Sequence, residues 1–276
     1  MQNIYLQTYS FGDFDPKNNI SNLKKAAQMG YCGVELFGPN LTLPAEEMKG
    51  ILHENGLKAI SLHADTGKIV DIIPYAKEIG LQFMGIGMQY LPDYGAVCEF
   101  ADKLNEVGEE CHKNGMLLTY HNHTQEFAVA KGKTYLAHLA EKTNPKYVGL
   151  ELDAGWCAAA GYDPIEFIKE QSGRVKLVHI KESEKVIGVR PAMNPADMKV
   201  DENGHPVFTK EQMAQMKHDQ EINCPAGKGI VDWTKLIPAA RENGCGAFIV
   251  EREYTYAKER DDCLKEDIVY YKSLRV

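Results

Sequence analysis

The sequence predicts a single (β/α)8 barrel, and three observations support this prediction. The chain has 276 residues, close to the roughly 250 residues that are typical of this fold. Short apolar segments alternate with helical segments from one end of the chain to the other. The apolar segments are continuous, as in parallel strands that are buried on both faces. Together these features predict one barrel domain over residues 1–276.

Eight apolar segments are the predicted strands, and most of them follow a helix that ends in glycine. Asn55-Gly56, Asn114-Gly115 and Asn243-Gly244 are such helix ends, because glycine adopts the left-handed conformation at low cost. The predicted strands are residues 4–8, 33–37, 58–63, 83–87, 117–121, 147–153, 175–181 and 247–251. A doubly wound open sheet is the alternative, but no glycine-rich phosphate loop follows the first predicted strand.

The predicted helices fill the intervals between these strands. They cover residues 21–29, 44–55, 68–79, 93–114, 134–142, 164–171, 233–243 and 259–274. Asp163-Pro164 and Asp232-Trp233 each place a capping aspartate before a first helical turn.

A long segment, residues 182–231, interrupts the alternation after the seventh strand. It contains Pro191, Pro195, Gly204 and Pro206, then a predicted helix over 210–220, then Gly227-Lys228-Gly229. A loop after a barrel strand lies on the face that carries active sites, so we interpret it as a lid over a substrate. A surface decoration or an oligomer contact is the alternative.

Composition narrows the classes of function. The formal net charge is −8 at pH 7, and an acidic chain repels phosphodiester backbones, which argues against a nucleic-acid partner. The seven cysteines include no C-x-x-C pair, which is typical of reduced thiols in the cytoplasm. Neither a signal peptide nor an apolar run of membrane-spanning length is expected. A homo-oligomer is compatible with the sequence.

Polar side chains accumulate where the last four predicted strands end. His121 and His123 share one face of a strand, as do Glu151 and Asp153, because alternate residues point to the same side. Burying several ionisable groups near the barrel axis is costly unless they are paired or bind a cation. The pattern therefore predicts a metal site at this end of the barrel.

The candidate ligands are Glu126, Asp153, His179 and Glu251. Three carboxylates and one imidazole favour one divalent ion such as Mn²⁺, with Mg²⁺, Co²⁺ and Zn²⁺ as alternatives. Taken singly, Asp153 could shape a turn, His179 could be a hydrogen-bonded core residue, and Glu251 could form an ion pair. The four together are better explained by a shared metal.

Several segments resemble the xylose-isomerase-like TIM-barrel superfamily, and within it the sugar phosphate isomerase/epimerase group. The matching segments are Tyr120-His121-Asn122-His123-x-x-Glu126-Phe127, Leu150-Glu151-Leu152-Asp153-x-x-Trp156, Val178-His179-Ile180-Lys181, Gly227-Lys228-Gly229-Ile230-Val231-Asp232-Trp233 and Ile249-Val250-Glu251. The resemblance implies a divalent metal held by residues at the ends of strands five to eight. Trp156 stands where ketose 3-epimerases carry a histidine, and Glu126 is spaced differently from their glutamate.

The resemblance implies a metal-dependent isomerase or epimerase that acts on a keto sugar or sugar phosphate through a metal-stabilised enediolate. A lyase or dehydratase acting on 3-keto sugars, glycosides or inososes is the alternative within the enzymes. A non-catalytic, metal-dependent carbohydrate-binding protein is the alternative of another class.

Candidate roles follow from residue chemistry. Glu126 and Glu251 are expected to combine ligation with proton abstraction, and His121 or His123 is expected to shuttle a proton because imidazole titrates near neutrality. Lys181 is expected to polarise a carbonyl or to hold the carboxylates. Expected substrate contacts come from three further residues, which are His63, Trp156 and Glu35.

Overall fold

Eight parallel strands close into a barrel, which confirms the predicted fold class. The structure is a computed structural model that describes residues 3–191, 194, 197, 199, 200 and 206–276. Each barrel strand pairs with its neighbours in sequence, and the last pairs with the first. Numbered in chain order, the strands are β1 (Ile4–Gln7), β2 (Gly33–Phe37), β3 (Lys58–His63), β4 (Phe83–Ile86), β5 (Leu117–His121), β6 (Val148–Asp153), β7 (Val175–Ile180) and β8 (Ala247–Val250).

Helices surround the barrel at nearly the predicted positions. They are α1 (Asn19–Met29), α2 (Ala45–Glu54), α3 (Ile69–Ile79), α4 (Tyr94–Lys113), α5 (Tyr135–Lys142), α6 (Ala154–Ala159), α7 (Pro164–Glu170), α8 (Lys210–Glu221), α9 (Trp233–Glu242) and α10 (Arg260–Ser273). The short helix α6 was not predicted. It begins directly after β6 because the Asp153 carboxylate accepts a hydrogen bond from the Trp156 amide at 2.7 Å.

The interior of the barrel changes character from one end to the other. At the end where the strands begin, Tyr5, Ile60, Leu177, Ala247 and Ile249 form a small buried apolar cluster. A larger apolar core lies between the outer faces of the strands and the helices. The ends of the strands carry the buried carboxylates and imidazoles, so the polar residues are confined to the face on which barrel active sites are found.

The segment after β7 is fastened to the barrel by the buried carboxylate of Glu182. This carboxylate accepts hydrogen bonds from the amides of Gly227 at 2.6 Å and Gly229 at 3.1 Å. It also accepts hydrogen bonds from Trp233 Nε1 and from the Tyr271 hydroxyl. The Gly227–Gly229 loop therefore binds an internal carboxylate, and its amides are not directed at a phosphate.

Part of the predicted lid, including Pro195 and Gly204, lies outside the described residues. Of the described part, Ile222 packs against Trp156 at the end of the barrel. Arg190 forms an ion pair with Asp219 of α8, and its amide donates to the Thr124 hydroxyl at 3.3 Å. This segment thus contacts the loops after β5 and β6, while its role as a lid remains a prediction.

A second buried anchor fixes the chain directly after β8. The Arg252 guanidinium donates to both oxygens of Asp267, each at 2.7 Å, and also to the Cys224 carbonyl. The Arg252 amide donates to the Ser10 hydroxyl at 2.9 Å. Because Arg252 follows Glu251, these contacts position the end of β8.

Within the described residues, no helix has both the length and the apolar character needed to cross a bilayer.

We expect Asp267→Ala to destabilise the fold strongly, because it leaves the Arg252 charge buried without its partner. The expected loss in the free energy of unfolding is about 3–5 kcal/mol, measured by urea titration. Glu266→Ala is the matched control on the same helix, since Glu266 pairs with Lys258 at the surface and exposed pairs contribute little. Equal losses in the two variants would contradict the assigned role of the Arg252–Asp267 pair.

Candidate active site and metal centre

Side chains from four strands and from the residue after β8 converge on the barrel axis as two overlapping groups of possible metal ligands. One group contains His63, His121, Glu151 and His179, and the other contains His121, Asp153, His179 and Glu251. Within each group the ligand atoms lie within 4.8 Å of one another. The strand register explains the convergence, because His121 lies opposite Glu151 and Asp153 lies opposite His179. We call the first the inner group and the second the outer group.

The outer group has the features of a cation site. His179 Nδ1 lies 3.1 Å from Glu251 Oε2, and His121 Nε2 lies 4.0 Å from carboxylate oxygens of both Asp153 and Glu251. Among the described residues, the buried Asp153 Oδ2 has no hydrogen-bond partner. Burial raises the pKa of Asp153 to about 8. A divalent cation would coordinate this oxygen and favour the ionised form of Asp153, so the residues present fit a metal.

Protonation in the outer group also suits a cation. Burial and the neighbouring His179 lower the pKa of His121 well below its usual value, which leaves a neutral imidazole with a free lone pair. Burial opposes ionisation of Glu251, but the hydrogen bond and charge of His179 hold the pKa of that carboxyl below its usual range. The group thus offers the neutral imidazole of His121 and a Glu251 carboxyl that favours its charged form to the same space.

The buried carboxylate of Glu35 orients His179. Glu35 Oε1 lies 2.8 Å from His179 Nε2, and Gln7 donates to the same oxygen at 2.7 Å. Ser61 donates to the other oxygen of Glu35. With Nε2–H directed at Glu35, His179 presents Nδ1 to the outer group, which is the usual carboxylate–histidine–metal arrangement.

The His63 ring packs against Gly85 of β4 and Gly87 directly after it, where the absence of side chains leaves room for the imidazole. A Cβ atom at Gly85 would lie 2.5 Å from the His63 ring, and one at Gly87 would lie 2.9 Å from it. His63 Nε2 lies 2.5 Å from Glu151 Oε2. Burial lowers the pKa of His63, but the negative charges of Glu35 and Glu151 have a larger combined effect, so the pKa of His63 is raised above its usual value.

The structure brings together Asp153, His179 and Glu251, three of the four predicted ligands, and places His121 beside them. Glu126, the fourth predicted ligand, belongs to neither group. Its oxygens accept hydrogen bonds from the Tyr120 hydroxyl at 2.6 Å and from the His123 amide at 2.7 Å. The tight turn at Gln125–Phe127 folds Glu126 back towards Tyr120 and away from the axis.

The Tyr-His-Asn-His segment fastens the loop after β5 to its surroundings through hydrogen bonds. Asn122 accepts from the Asp153 amide at 3.0 Å and donates to the Asp153 carbonyl at 3.3 Å. The Tyr120 hydroxyl donates a hydrogen bond to the Glu126 carboxylate. Only His121 and His123 of this segment line the cavity above the centre.

Lys181, Trp156 and Glu253 form a buried cluster beside the centre. Lys181 Nζ lies 3.2 Å from Glu253 Oε1 and 4.7 Å from the centroid of the Trp156 ring. Trp156 Nε1 donates to the same oxygen of Glu253 at 3.2 Å. Glu253 lines the cavity, whereas the predicted substrate contacts Trp156 and Glu35 do not.

A cavity of about 720 Å³ opens above the outer group. Its polar side is formed by His63, His121, His123, Glu251 and Glu253. Sequence analysis did not include His121 or Glu151 among the candidate ligands. Strand alternation had already placed both on the inward face, and His121 was assigned a proton-shuttle role instead.

A sequence profile described as a xylose isomerase-like TIM barrel matches residues 23–274. The chain belongs to this family. Among curated relatives, an inosose dehydratase of Geobacillus kaustophilus (strain HTA426) is 33% identical over 81 residues. That match covers 29% of this chain and 26% of the dehydratase, so the chain matches only about a quarter of that relative's length.

Several solved structures superpose over almost the entire chain. A sugar phosphate isomerase/epimerase from Parabacteroides distasonis ATCC 8503 has a TM-score of 0.76 and 20% identity, and covers 99% of this chain and 94% of its own. The IolI protein, solved with a bound zinc atom, has a TM-score of 0.69 and 14% identity, with coverages of 99% and 97%. At these identities the similarity establishes the fold alone.

We expect Glu35→Gln to weaken binding of Mn²⁺, Co²⁺ and Zn²⁺ about 10- to 100-fold, because the buried carboxylate that orients His179 is lost. Isothermal titration calorimetry of the metal-free protein measures this change. Glu126→Gln is the comparison variant, and its metal affinity should stay within a few-fold of the parent protein. If Glu126→Gln abolishes binding while Glu35→Gln does not, the ligand set drawn from the sequence is favoured over the outer group.

Proposed function

We propose that this protein is a divalent-metal-dependent sugar isomerase or epimerase that acts on a keto sugar. The observation that supports it most is the outer group, a buried set of two imidazoles and two carboxylates at the base of an open cavity. The named relatives of this family include sugar isomerases or epimerases and dehydratases. A phosphorylated substrate has less support, because Glu182 occupies the amides of the Gly227–Gly229 loop.

His121, Asp153, His179 and Glu251 would hold the metal. When bound, a divalent ion acts as a Lewis acid that polarises a carbonyl and acidifies the adjacent C–H bond. Two imidazoles with two carboxylates suit Mn²⁺, Co²⁺ or Zn²⁺ better than Mg²⁺, which prefers oxygen ligands and water. We retain Mn²⁺ as the expected ion.

Proton transfer is assigned to the groups that reach the cavity. Glu251 lines the cavity, so it is the proposed base for the proton beside the carbonyl. His63, whose pKa is raised, is the proposed proton donor. His123 lines the same cavity and is the proposed shuttle. Glu126 receives no proton-transfer role, since it is fully buried and both its oxygens are hydrogen-bonded.

Lys181 is assigned to hold Glu253 rather than to touch the carbonyl. Its ammonium group is buried against Glu253 and the Trp156 ring. The pair keeps the Glu253 carboxylate fixed at the cavity wall, where it can accept hydrogen bonds from sugar hydroxyls.

A lyase is the second candidate, and the match to an inosose dehydratase favours it. The first step is the same in both reactions, because a base must remove the proton next to the carbonyl. If a leaving group lies β to that carbonyl, His63 is placed to protonate it, and elimination replaces reprotonation at carbon.

We expect the metal-loaded protein to exchange solvent deuterium into the carbon beside the carbonyl of at least one keto sugar in a broad panel. Proton NMR in D2O follows the exchange, and mass spectrometry detects loss of water if the reaction is an elimination. Glu251→Gln should slow exchange by at least about 100-fold, with metal content measured in parallel. Glu141→Gln, an exposed change distant from the cavity, should have no effect.

Binding of a keto sugar without any deuterium exchange would contradict the proposal. That outcome would favour the non-catalytic carbohydrate-binding protein instead.

A further inference from the structure

The cavity above the centre has two unlike halves, and the proposed chemistry uses only one of them. The other half is lined by Tyr9, Phe37, Leu41, Ile72 and Met88, which come from the loops after β1, β2 and β4 and from α3. No step of the proposed reaction needs these side chains. We call this set the apolar wall.

The side chains of the apolar wall are more exposed than packing alone would explain. Met88 is 61% exposed and Tyr9 is 39% exposed. Phe14, which is 50% exposed, extends the surface, since its ring lies 5.2 Å from that of Tyr9 and 5.8 Å from that of Phe37. Large apolar side chains gathered at a cavity mouth commonly mark a binding surface.

The backbone that carries Tyr9 and Phe37 is held by hydrogen bonds. Asn40, which is buried, accepts hydrogen bonds from the Thr8 hydroxyl at 2.7 Å and from the Phe37 amide at 3.0 Å. The Tyr9 amide donates to the side chain of Gln7 at 3.0 Å. The loops after β1 and β2 are thus cross-linked, and a rigid surface loses little entropy when it binds.

The polar residues on this side of the cavity are poorly suited to a second sugar. Asp65 and Lys68 are exposed at the rim and lie 3.4 Å from each other. Gln7 is the buried amide among the described lining residues on this side, and its side chain is already hydrogen-bonded to Glu35 and to the Tyr9 amide. Apart from the Tyr9 hydroxyl, the apolar wall offers a sugar hydroxyl no strong hydrogen-bond partner, whereas an apolar group placed against it would remove apolar surface from water.

We propose that the substrate is a keto sugar that carries an apolar, ring-shaped substituent, and that this substituent packs on Tyr9, Phe37 and Met88. This inference rests on the proposed function, because it places the sugar in the polar half above the metal ligands. The size of the cavity agrees with it, since pockets of about 300–1,000 Å³ enclose ligands considerably larger than one sugar. The substituent would supply binding energy remote from the reacting carbons.

The test compares two ligands that share one head group, the methyl and the phenyl glycosides of the same keto hexose. Calorimetry with the metal-loaded protein should show about 10- to 100-fold tighter binding of the phenyl glycoside, the range expected for burying one aromatic ring. Met88→Ala should reduce this preference several-fold and leave methyl glycoside binding unchanged. Val269→Ala is the matched control, an exposed apolar residue on α10, and it should not alter the preference.

Equal affinities for the two glycosides in the parent protein would overturn the inference, as would a preference that Met88→Ala leaves intact. Tighter binding of a disaccharide that carries a second sugar in place of the phenyl ring would also overturn it. The outcome is separable from that of the deuterium-exchange experiment. A phenyl preference without exchange would support the apolar substituent while contradicting the proposed reaction.

Discussion

The structure depends on one constraint, the burial of many ionisable side chains at the end of the barrel. Glu35, Glu151, Asp153 and His179 are fully buried, and His121 is almost so. Isolated charges in such a place cost several kcal/mol each. Glu151 is paired with the imidazoles of His63 and His179, and the outer group could share a cation. In the inner group, Glu151 holds His63, the proposed proton donor, and His179, a proposed metal ligand, in position.

The rest of the site is organised to keep these groups in register. The Asn122 side chain links the loop after β5 to the end of β6, because it forms hydrogen bonds with both the backbone amide and the backbone carbonyl of Asp153. Arg252 ties the end of β8 to α10 and to the loop after β1. Glu182 fastens the long segment after β7. Each anchor lies within two residues of a side chain that the site uses, which links the stability of the fold to the geometry of the centre.

Much of the fold could be predicted from the sequence because its signals are local. Continuous apolar strands and helix-ending glycines gave the barrel and its strand positions to within about a residue, and the structure and the family match confirm them. Asp153, His179 and Glu251 were predicted to lie together because strand alternation and parallel register determine which residues meet at a barrel end.

The remaining features depend on contacts that no local pattern encodes. The direction of Glu126 is decided by its hydrogen bond to Tyr120 and by a tight turn. The short helix α6 depends on the hydrogen bond from the Trp156 amide to the capping Asp153 carboxylate. In the sequence, Asp153-Ala154-Gly155 is equally compatible with a turn. The burial of Glu35 follows from Gln7, Ser61 and His179, three residues from three different strands.

The central claim is that the outer group binds one divalent metal ion, and anomalous diffraction tests it most directly. Crystals grown with Mn²⁺ or Co²⁺ should show a single anomalous peak coordinated by His121, Asp153, His179 and Glu251, at about 2.0–2.3 Å from their ligand atoms. No peak at saturating metal, or a peak coordinated by Glu126, would contradict the account.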